Sequence, residues 1–489
     1  MSTRSLLPVG LAALVLALTP SPHGCAADPP RLNVLLIVSD DLNCDLGCYG
    51  HPLVKSPHID RLAARGVRFE RAYCQYPVCN PSRSSLMTSL YPEQTGVLSN
   101  GGDFRRRLPD VVTLPQLFQQ AGYYVARVGK IYHYGVPLQI GTDGADDPAS
   151  WHEVVNPRGL DREVHDRIHT LRPGEFGGTL SWLNLDTSDD EQTDGVGALA
   201  AIRLLETHHP RRTGRPFFLA VGFYRPHTPY VAPSRYFDLY DRSAIQPVLE
   251  KPGDRDDIPP AALFDRPGQR ELSLPQRQEI IQAYYAAISY MDAQVGRLLD
   301  ALDRLNLADQ TVVLFTSDHG YHLGAHGLWQ KSDLFEGSCR VPLVIAAPGL
   351  KHPGAATQAV VELVDLYPTL AGLCGLSPPA HVLGTNLTPL LEEPTLPGKS
   401  AAFTVTVIRN REAAGRRQAL GHTIRTSRYR YTEWDEGRLG HELYDYETDP
   451  EEYVNLARVP GHETLVTEMQ TLLREARQRA RSAPAAAAP

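Results

Sequence analysis

The sequence predicts an α/β fold built around a largely parallel sheet, and three features carry that reading. Short apolar runs rich in β-branched residues occupy positions 33–38, 217–222 and 311–316, as strands buried on both faces require. Each run hands over to polar residues: Ser39-Asp40-Asp41, Arg225-Pro226-His227 and Ser317-Asp318-His319-Gly320. Between the second and third runs, Ile281, Tyr285, Ile288, Met291, Val295, Leu298 and Leu299 recur at helical spacing across residues 278–303. Strands alternating with helices pack as a parallel sheet, whose sites lie beyond the carboxyl ends of the strands. Two carboxylate-bearing strand ends, distant in sequence, are therefore expected to meet.

The elements follow in chain order. Residues 1–27 read as a signal peptide: Arg4 supplies the positive start, residues 11–18 are apolar, and Gly24-Cys25-Ala26 offers small residues for cleavage. The mature chain is thus expected to be exported, to the periplasm or the extracellular space. Cys25 raises lipid attachment as an alternative, but Ser21-Pro22-His23-Gly24 is a poor match to the apolar context such processing needs, which favours soluble export. Residues 28–385 are assigned to a catalytic domain, within which 140–195 and 242–275 are rich in Gly, Pro and Asp and read as long loops on the site face. Pro389, Pro394 and Pro397 mark the passage to a C-terminal subdomain, 386–482, where 423–426, 429–432 and 442–445 read as short strands and 463–479 as a final helix. Residues 483–489 close the chain as a disordered tail. There is no internal repeat, and no run after the signal reaches the ~18 apolar residues of a membrane span.

Composition narrows the function classes. A chain of 489 residues, 42% hydrophobic and 21% charged, can bury one large core and a smaller one. Its net charge of -8 argues against a nucleic-acid partner, which a basic domain would advertise. An anionic substrate would need a local basic pocket; Arg105-Arg106-Arg107 is a candidate, although such runs are more often solvated surface. Apart from Cys25, cysteines stand at 44, 48, 74, 79, 339 and 374, an even number that suggests disulfides without assigning them. Zinc at Cys44, Cys48 and Cys74 lacks a fourth ligand at suitable spacing.

The chemistry-bearing residues come next. Asp40, Asp41 and Asp318 suit a hard divalent cation, since calcium takes oxygen ligands in irregular geometry. An Asp pair by itself is usually a turn or a cap, so its company matters. That company is the run Cys79-Asn80-Pro81-Ser82-Arg83, continued by Ser84-Ser85-Leu86-Met87-Thr88-Ser89-Leu90-Tyr91-Pro92. The pattern resembles the signature of type I sulfatases, and it falls between the Asp-Asp and Asp318-His319-Gly320 segments in that family's order. Gly129-Lys130-Ile131-Tyr132-His133, Arg225-Pro226-His227-Thr228-Pro229 and His326-Gly327-Leu328-Trp329-Gln330-Lys331 resemble the family's basic active-site segments. Within the family the chain is most similar to the iduronate-2-sulfatase subfamily, whose C-terminal pattern is matched by Ile424-Arg425-Thr426, Tyr429-Arg430-Tyr431-Thr432 and Glu442-Leu443-Tyr444. The likeness spans nearly all of residues 31–460.

The resemblance implies an alkaline-phosphatase-like sandwich with a large, mostly parallel mixed sheet flanked by helices, plus a smaller C-terminal antiparallel sheet. It implies that a maturation enzyme converts Cys79 to formylglycine, and that Asp40, Asp41, Asp318, His319 and residue 79 surround one calcium ion. An imidazole is not a preferred calcium ligand, so His319 would alternatively orient the sulfate. Arg83 is expected to hold the formylglycine hydroxyl, Lys130 and Lys331 to supply fixed positive charge, and His133 and His227 to stabilise formylglycine and protonate the leaving alcohol. His322 and His326 are expected to be structural. Position 325 carries Ala where related enzymes commonly carry glutamate, and Asn386-Leu387-Thr388 is a glycosylation sequon. The function implied is hydrolysis of O-sulfate esters on a sugar or polysaccharide, including the 2-position of a uronate. Two alternatives stand beside it: a phosphodiesterase or phosphonate hydrolase, and an unmatured, noncatalytic binder of sulfated polysaccharide.

Overall fold

Two layers of core lie on either face of one eight-stranded sheet, and alternation along its strands decides which residue joins which layer. The computed structural model describes residues 1–2, 31–414 and 418–482, and from Leu32 onward these form one compact unit. Apart from Met1 and Ser2, the expected signal peptide with Cys25 lies outside the described residues, as does the tail at 483–489. In chain order the strands are β1 Asn33–Asp40, β2 Val67–Tyr73, β3 Tyr124–Gly129, β4 Glu153–Val155, β5 Phe217–Pro226, β6 Thr311–Ser317, β7 Arg340–Ala346 and β8 Ala356–Glu362. Their spatial order is β8-β2-β7-β6-β1-β5-β3-β4, and only β7 runs against its neighbours.

The central strands are buried throughout. Leu35 and Ile37 of β1 join one core with Leu219, Val221, Val313 and Phe315. Val34, Leu36 and Val38 join the other with Phe218, Ala220, Val312 and Leu314. A strand that feeds two cores must be apolar at every position, which is why these runs read as continuous rather than alternating. On the first face lies the long helix Leu274–Arg304, opened by Pro275 behind a capping box of Ser273 and Gln276. On the second face lie helix α1, Cys79–Thr88, and the helix Leu366–Leu373.

Up to Ser273 the stretch 242–275 contains only short turns of helix, as expected of a loop, and the long helix begins at Leu274. The three predicted C-terminal strands are observed as Leu420–Arg425, Tyr429–Trp434 and His441–Asp445. A fourth strand, Ala402–Val407, which the sequence reading did not anticipate, completes the expected antiparallel sheet. This strand docks beside the segment leading to Cys79: the Val405 N–H donates to Gln75 O at 3.0 Å and Thr404 Oγ1 to Cys74 O at 2.6 Å. Glu463–Arg481 is the final helix. Cys44, Cys48, Cys74, Cys79, Cys339 and Cys374 are all free thiols. No helix among the described residues is long and apolar enough to cross a membrane.

Candidate active site

The site grows from the shared edge of β1 and β6. Ser39 and Ser317 are register partners, so Asp40-Asp41 and Asp318-His319 leave the sheet side by side. Asp41 then turns through a left-handed backbone conformation (φ 65°), which Asp tolerates better than most residues. Its N–H donates to Asp318 Oδ1 at 3.2 Å, and its carbonyl accepts from the Tyr284 hydroxyl at 2.8 Å. At the end of β3, Gly129 has φ 72° and its Cα lies so near β5 that a Cβ would fall 2.2 Å from Gly222 O. Only glycine permits that approach, and it carries Lys130 to its ion pair with Asp40.

Cys79 is the first residue of α1, whose ten residues are all buried. Val78 at the N-cap offers no side-chain cap, so the positive end of the helix faces the site. One turn on, Arg83 uses every N–H it has: Nε donates to Asp318 Oδ2 (2.9 Å), Nη2 to Asp40 Oδ1 (3.2 Å) and Ser39 O (3.5 Å), and Nη1 to the carbonyls of Lys130 and Ile131. Through these bonds Arg83 aligns two carboxylates, one turn of helix away from residue 79. Lys331 pairs with Asp41 and comes within 3.2 Å of Cys79 Sγ. It stands between Gln330 (φ 71°) and Ser332 (φ 93°), a strained turn of the kind that functional segments retain.

Electrostatics sort the groups. Burial would raise the Asp40 carboxyl, but Lys130, His227 and Arg83 outweigh it and hold the group well below the usual range. Burial pushes Asp41 up to about 7, opposed by Lys331 and reinforced by the charges of Asp40 and Asp318. Burial keeps the three histidines neutral: His319 falls to about 4, His133 to about 2 with help from Lys130, and His227 well below its ordinary value. His319 Nδ1 lies 2.9 Å from Gly320 O and donates to it, which leaves Nε2 as a lone pair facing Asp41 Oδ1 (3.3 Å) and Cys79 Sγ (3.4 Å). His227 likewise spends Nδ1 on Thr228 O and turns Nε2 toward Asp41 Oδ2 at 3.7 Å. Burial, then Asp40, raises the Cys79 thiol, so the unmodified residue is a poor nucleophile.

Asp40, Asp41, Cys79 and His319 present ligand atoms within 4.8 Å of one another. Asp41 Oδ2 is buried with no hydrogen-bond partner, which is the signature of an oxygen awaiting a cation. Asp318 stands at the edge of this group, its Oδ1 3.7 Å from His319 Nε2 and its Oδ2 held by Arg83. With Asp40, Asp41 and Asp318 around a buried, unpartnered oxygen, the residues present fit a hard divalent cation. The remaining histidines stay outside: His322 bonds Asp333 at 3.0 Å and His326 bonds Asp254 at 3.2 Å. The arginine run is not a pocket either, since Arg105 is tied to Asp147 and Arg106 is an exposed partner of Asp103.

Cys79, Asp40, Asp41, Asp318, His319 and Lys130 are buried, whereas His133 and Lys331 are partly exposed and mark the mouth. Two contributors escaped the sequence reading. Tyr284, which fixes the Asp41 carbonyl, shares its helix with core residues and carries no distinguishing signal. Arg266, in the loop over the mouth, donates to the carbonyls of Lys331 and Gly178, both at 3.2 Å.

Acids at the strand ends of such a sheet, facing a ring of fixed cations, are the plan of the alkaline-phosphatase-like hydrolases of anionic esters. The phosphonate monoester hydrolase of Agrobacterium radiobacter shares it, with a TM-score of 0.75 at 26% identity over 92% of this chain and 96% of that one. Sequence comparison narrows the class. The sulfatase family profile matches residues 32–376, and that of the N-sulphoglucosamine sulphohydrolase C-terminal region matches 324–479. Human iduronate 2-sulfatase is 35% identical over 476 residues, covering 82% of this chain and 85% of the relative. A sulfatase of Formosa agariphila is 32% identical over 490 residues, covering 97% and 92%. The chain belongs to the type I sulfatase family of sulfuric ester hydrolases, near iduronate-2-sulfatase.

Proposed function

We propose that the protein is an exported sulfatase that hydrolyses O-sulfate esters of a sulfated sugar or polysaccharide, the 2-position of a uronate included, through formylglycine at position 79 and one calcium ion. The observation that carries this reading is the unpartnered, buried Asp41 Oδ2 beside Cys79 at the head of α1. Asp40, Asp41, Asp318, His319 and residue 79 would hold calcium, which when bound neutralises charge on the sulfate oxygens and eases formation of an alkoxide. A hydrated aldehyde at position 79 offers one hydroxyl to attack sulfur and a second whose deprotonation expels sulfate, a step a serine cannot make.

The chain's own residues do the rest. Lys331, 3.2 Å from Sγ of residue 79, and Lys130, paired to Asp40, are fixed cations for the sulfate group and for charge on the departing oxygen. His319, with Nδ1 donated to Gly320 O, would offer its single Nε2 lone pair to the cation beside position 79. His227, pinned through Nδ1, presents one nitrogen to the same cluster. His133 stands at the mouth, where the leaving alcohol departs; it is neutral in the free site, and the negative charge of a bound sulfate is what would raise it into a proton donor. Residues 1–27, 28–385, 386–482 and 483–489 are proposed as signal peptide, catalytic domain, C-terminal subdomain and tail.

The likeness to a phosphonate monoester hydrolase makes phosphonate monoesters the competing substrate class. Parallel rates on phenyl sulfate and phenyl phosphonate monoesters test the choice. The sulfate ester is expected to be the faster, and a strong phosphonate preference would overturn the reading.

A further inference from the structure

Lys331 brings its ammonium to Asp41 and Cys79, yet the segment that delivers it cannot hold its own shape. Its ladder is two residue pairs long, His322–Leu323 against Trp329–Gln330, too little to fix a conformation alone. Five of the nine residues 324–332 have positive φ, among them His326 (54°), Gln330 (71°) and Ser332 (93°). Strained backbone of this kind persists only where neighbours over-determine it. The neighbour here is the loop within 242–275. It follows the segment so closely that a Cβ on Gly324 would lie 3.2 Å from Val248 O and one on Gly327 2.5 Å from Glu250 Oε2, and Arg266 donates to the Lys331 carbonyl.

A buried pair of side chains joins the two. His326 Nδ1 stands 3.2 and 3.3 Å from the two carboxylate oxygens of Asp254, so it carries the proton it donates. Both residues are buried, and among the described residues the His326 ring is the only side-chain hydrogen-bond partner of Asp254. Burial would lower the imidazole, but the Asp254 bond and the charges of Glu452, Asp254 and Asp333 raise it above its ordinary value, as an attractive pair requires. The ring is clamped as well, stacked on Phe335 at 4.4 Å with Tyr453 at its edge, 6.0 Å away. Phe335 in turn gives its N–H to Asp333, which bonds His322 at 3.0 Å. Lys331 is thus bracketed by two His–Asp pairs. One closes on the segment itself, and the other ties it outward to the loop.

We propose that Asp254, acting through His326, is a positioning residue for Lys331: the pair locks the loop onto the segment and holds the ammonium against Asp41 and residue 79. Its consequence for rate rests on the sulfatase reading, whereas the placement of Lys331 does not. A cation moved by about an ångström loses much of its grip on a reacting group, so the pair governs rate without touching substrate.

The first arm of the test reads the position of Lys331 in mature, calcium-loaded protein. Paired with Asp41, Lys331 should be acylated by an N-hydroxysuccinimide ester slowly relative to the exposed Lys351, as counted by peptide mass spectrometry. Asp254→Ala should speed acylation of Lys331 and leave that of Lys351 unchanged. His326→Phe, which keeps a ring on Phe335 and removes the donor, should do the same, whereas Asp254→Asn keeps an acceptor oxygen and should retain most of the protection. Circular dichroism checks that each variant folds, and His326→Phe carries the test if Asp254→Ala does not. The second arm is a double-mutant cycle on phenyl sulfate. Asp254→Ala should lower kcat/KM roughly tenfold to a hundredfold in otherwise wild-type protein and by less than about twofold in Lys331→Ala protein, since a residue acting through Lys331 loses its effect once Lys331 is gone. Unchanged acylation of Lys331 in the folded variants, or a loss that multiplies in full on Lys331→Ala, would overturn the assignment. Failure of the mature wild-type protein to hydrolyse phenyl sulfate would count against the sulfatase reading instead, and the acylation arm would still decide the placement.

Discussion

Calcium binding should depend steeply on pH through one residue, Asp41. In the metal-free site, burial and the charges of Asp40 and Asp318 hold its carboxyl at about 7 against the opposing pull of Lys331. A cation competes with that proton, so binding below pH 7 must release it, whereas well above pH 7 there is none to release. The ionised fraction of such a group falls from roughly nine-tenths at pH 8 to about one-hundredth at pH 5, which predicts a loss of calcium affinity of about a hundredfold. The sign for folding is opposite. Because the folded value is raised from 3.8 to about 7, this group costs the metal-free protein stability as pH rises through that window, and calcium removes the penalty. Calorimetry at pH 6 in two buffers of different protonation enthalpy counts the released proton directly, and Asp41→Asn should weaken binding and flatten its pH profile. An affinity constant from pH 5 to pH 8, with no proton released, would refute the assignment of Asp41 as the titrating ligand.

Further outcomes follow from single residues. Cys79→Ala should abolish turnover and leave the far-ultraviolet circular dichroism unchanged; near wild-type hydrolysis would contradict the nucleophile assignment. Arg83→Met should destabilise the fold by about 3–5 kcal/mol in denaturant titrations, because it strands Asp40 and Asp318 in a buried site. A loss under about 1 kcal/mol would mean those carboxylates find other partners. His133→Gln should lower kcat on sugar sulfates by roughly 10²–10⁴, since a poor leaving group needs a proton, and change the rate on an activated aryl sulfate little. Equal losses on both would move the acid role elsewhere.

Much of the site is legible in the chain because its parts are local. Strand ends announce themselves where an apolar run stops at Asp40 or Asp318, and the segment from Cys79 to Arg83 is contiguous because one helical turn carries both residues into the site. The helix over residues 278–303 is evident from its period, and capping at Ser273 merely lengthens it to Leu274–Arg304. What sequence does not display is partnership over distance. The partners of Arg83 come into view only when its five donors are counted against carbonyls and carboxylates from three other segments. Tyr284 is indistinguishable from a core tyrosine until its hydroxyl meets Asp41. The strand Ala402–Val407 is defined by its partner Leu420–Arg425 and by its docking beside Cys74 and Gln75. Arg266 lies in a loop whose course nothing in its composition dictates.

The central claim is that residue 79 acts as formylglycine, and peptide mass spectrometry of the residue-79 peptide, from protein made in its native host, tests it most directly. The account predicts an aldehyde and its hydrate in place of the thiol, with sulfatase activity in proportion to the converted fraction. Fully active protein whose residue 79 remains unmodified cysteine would contradict it.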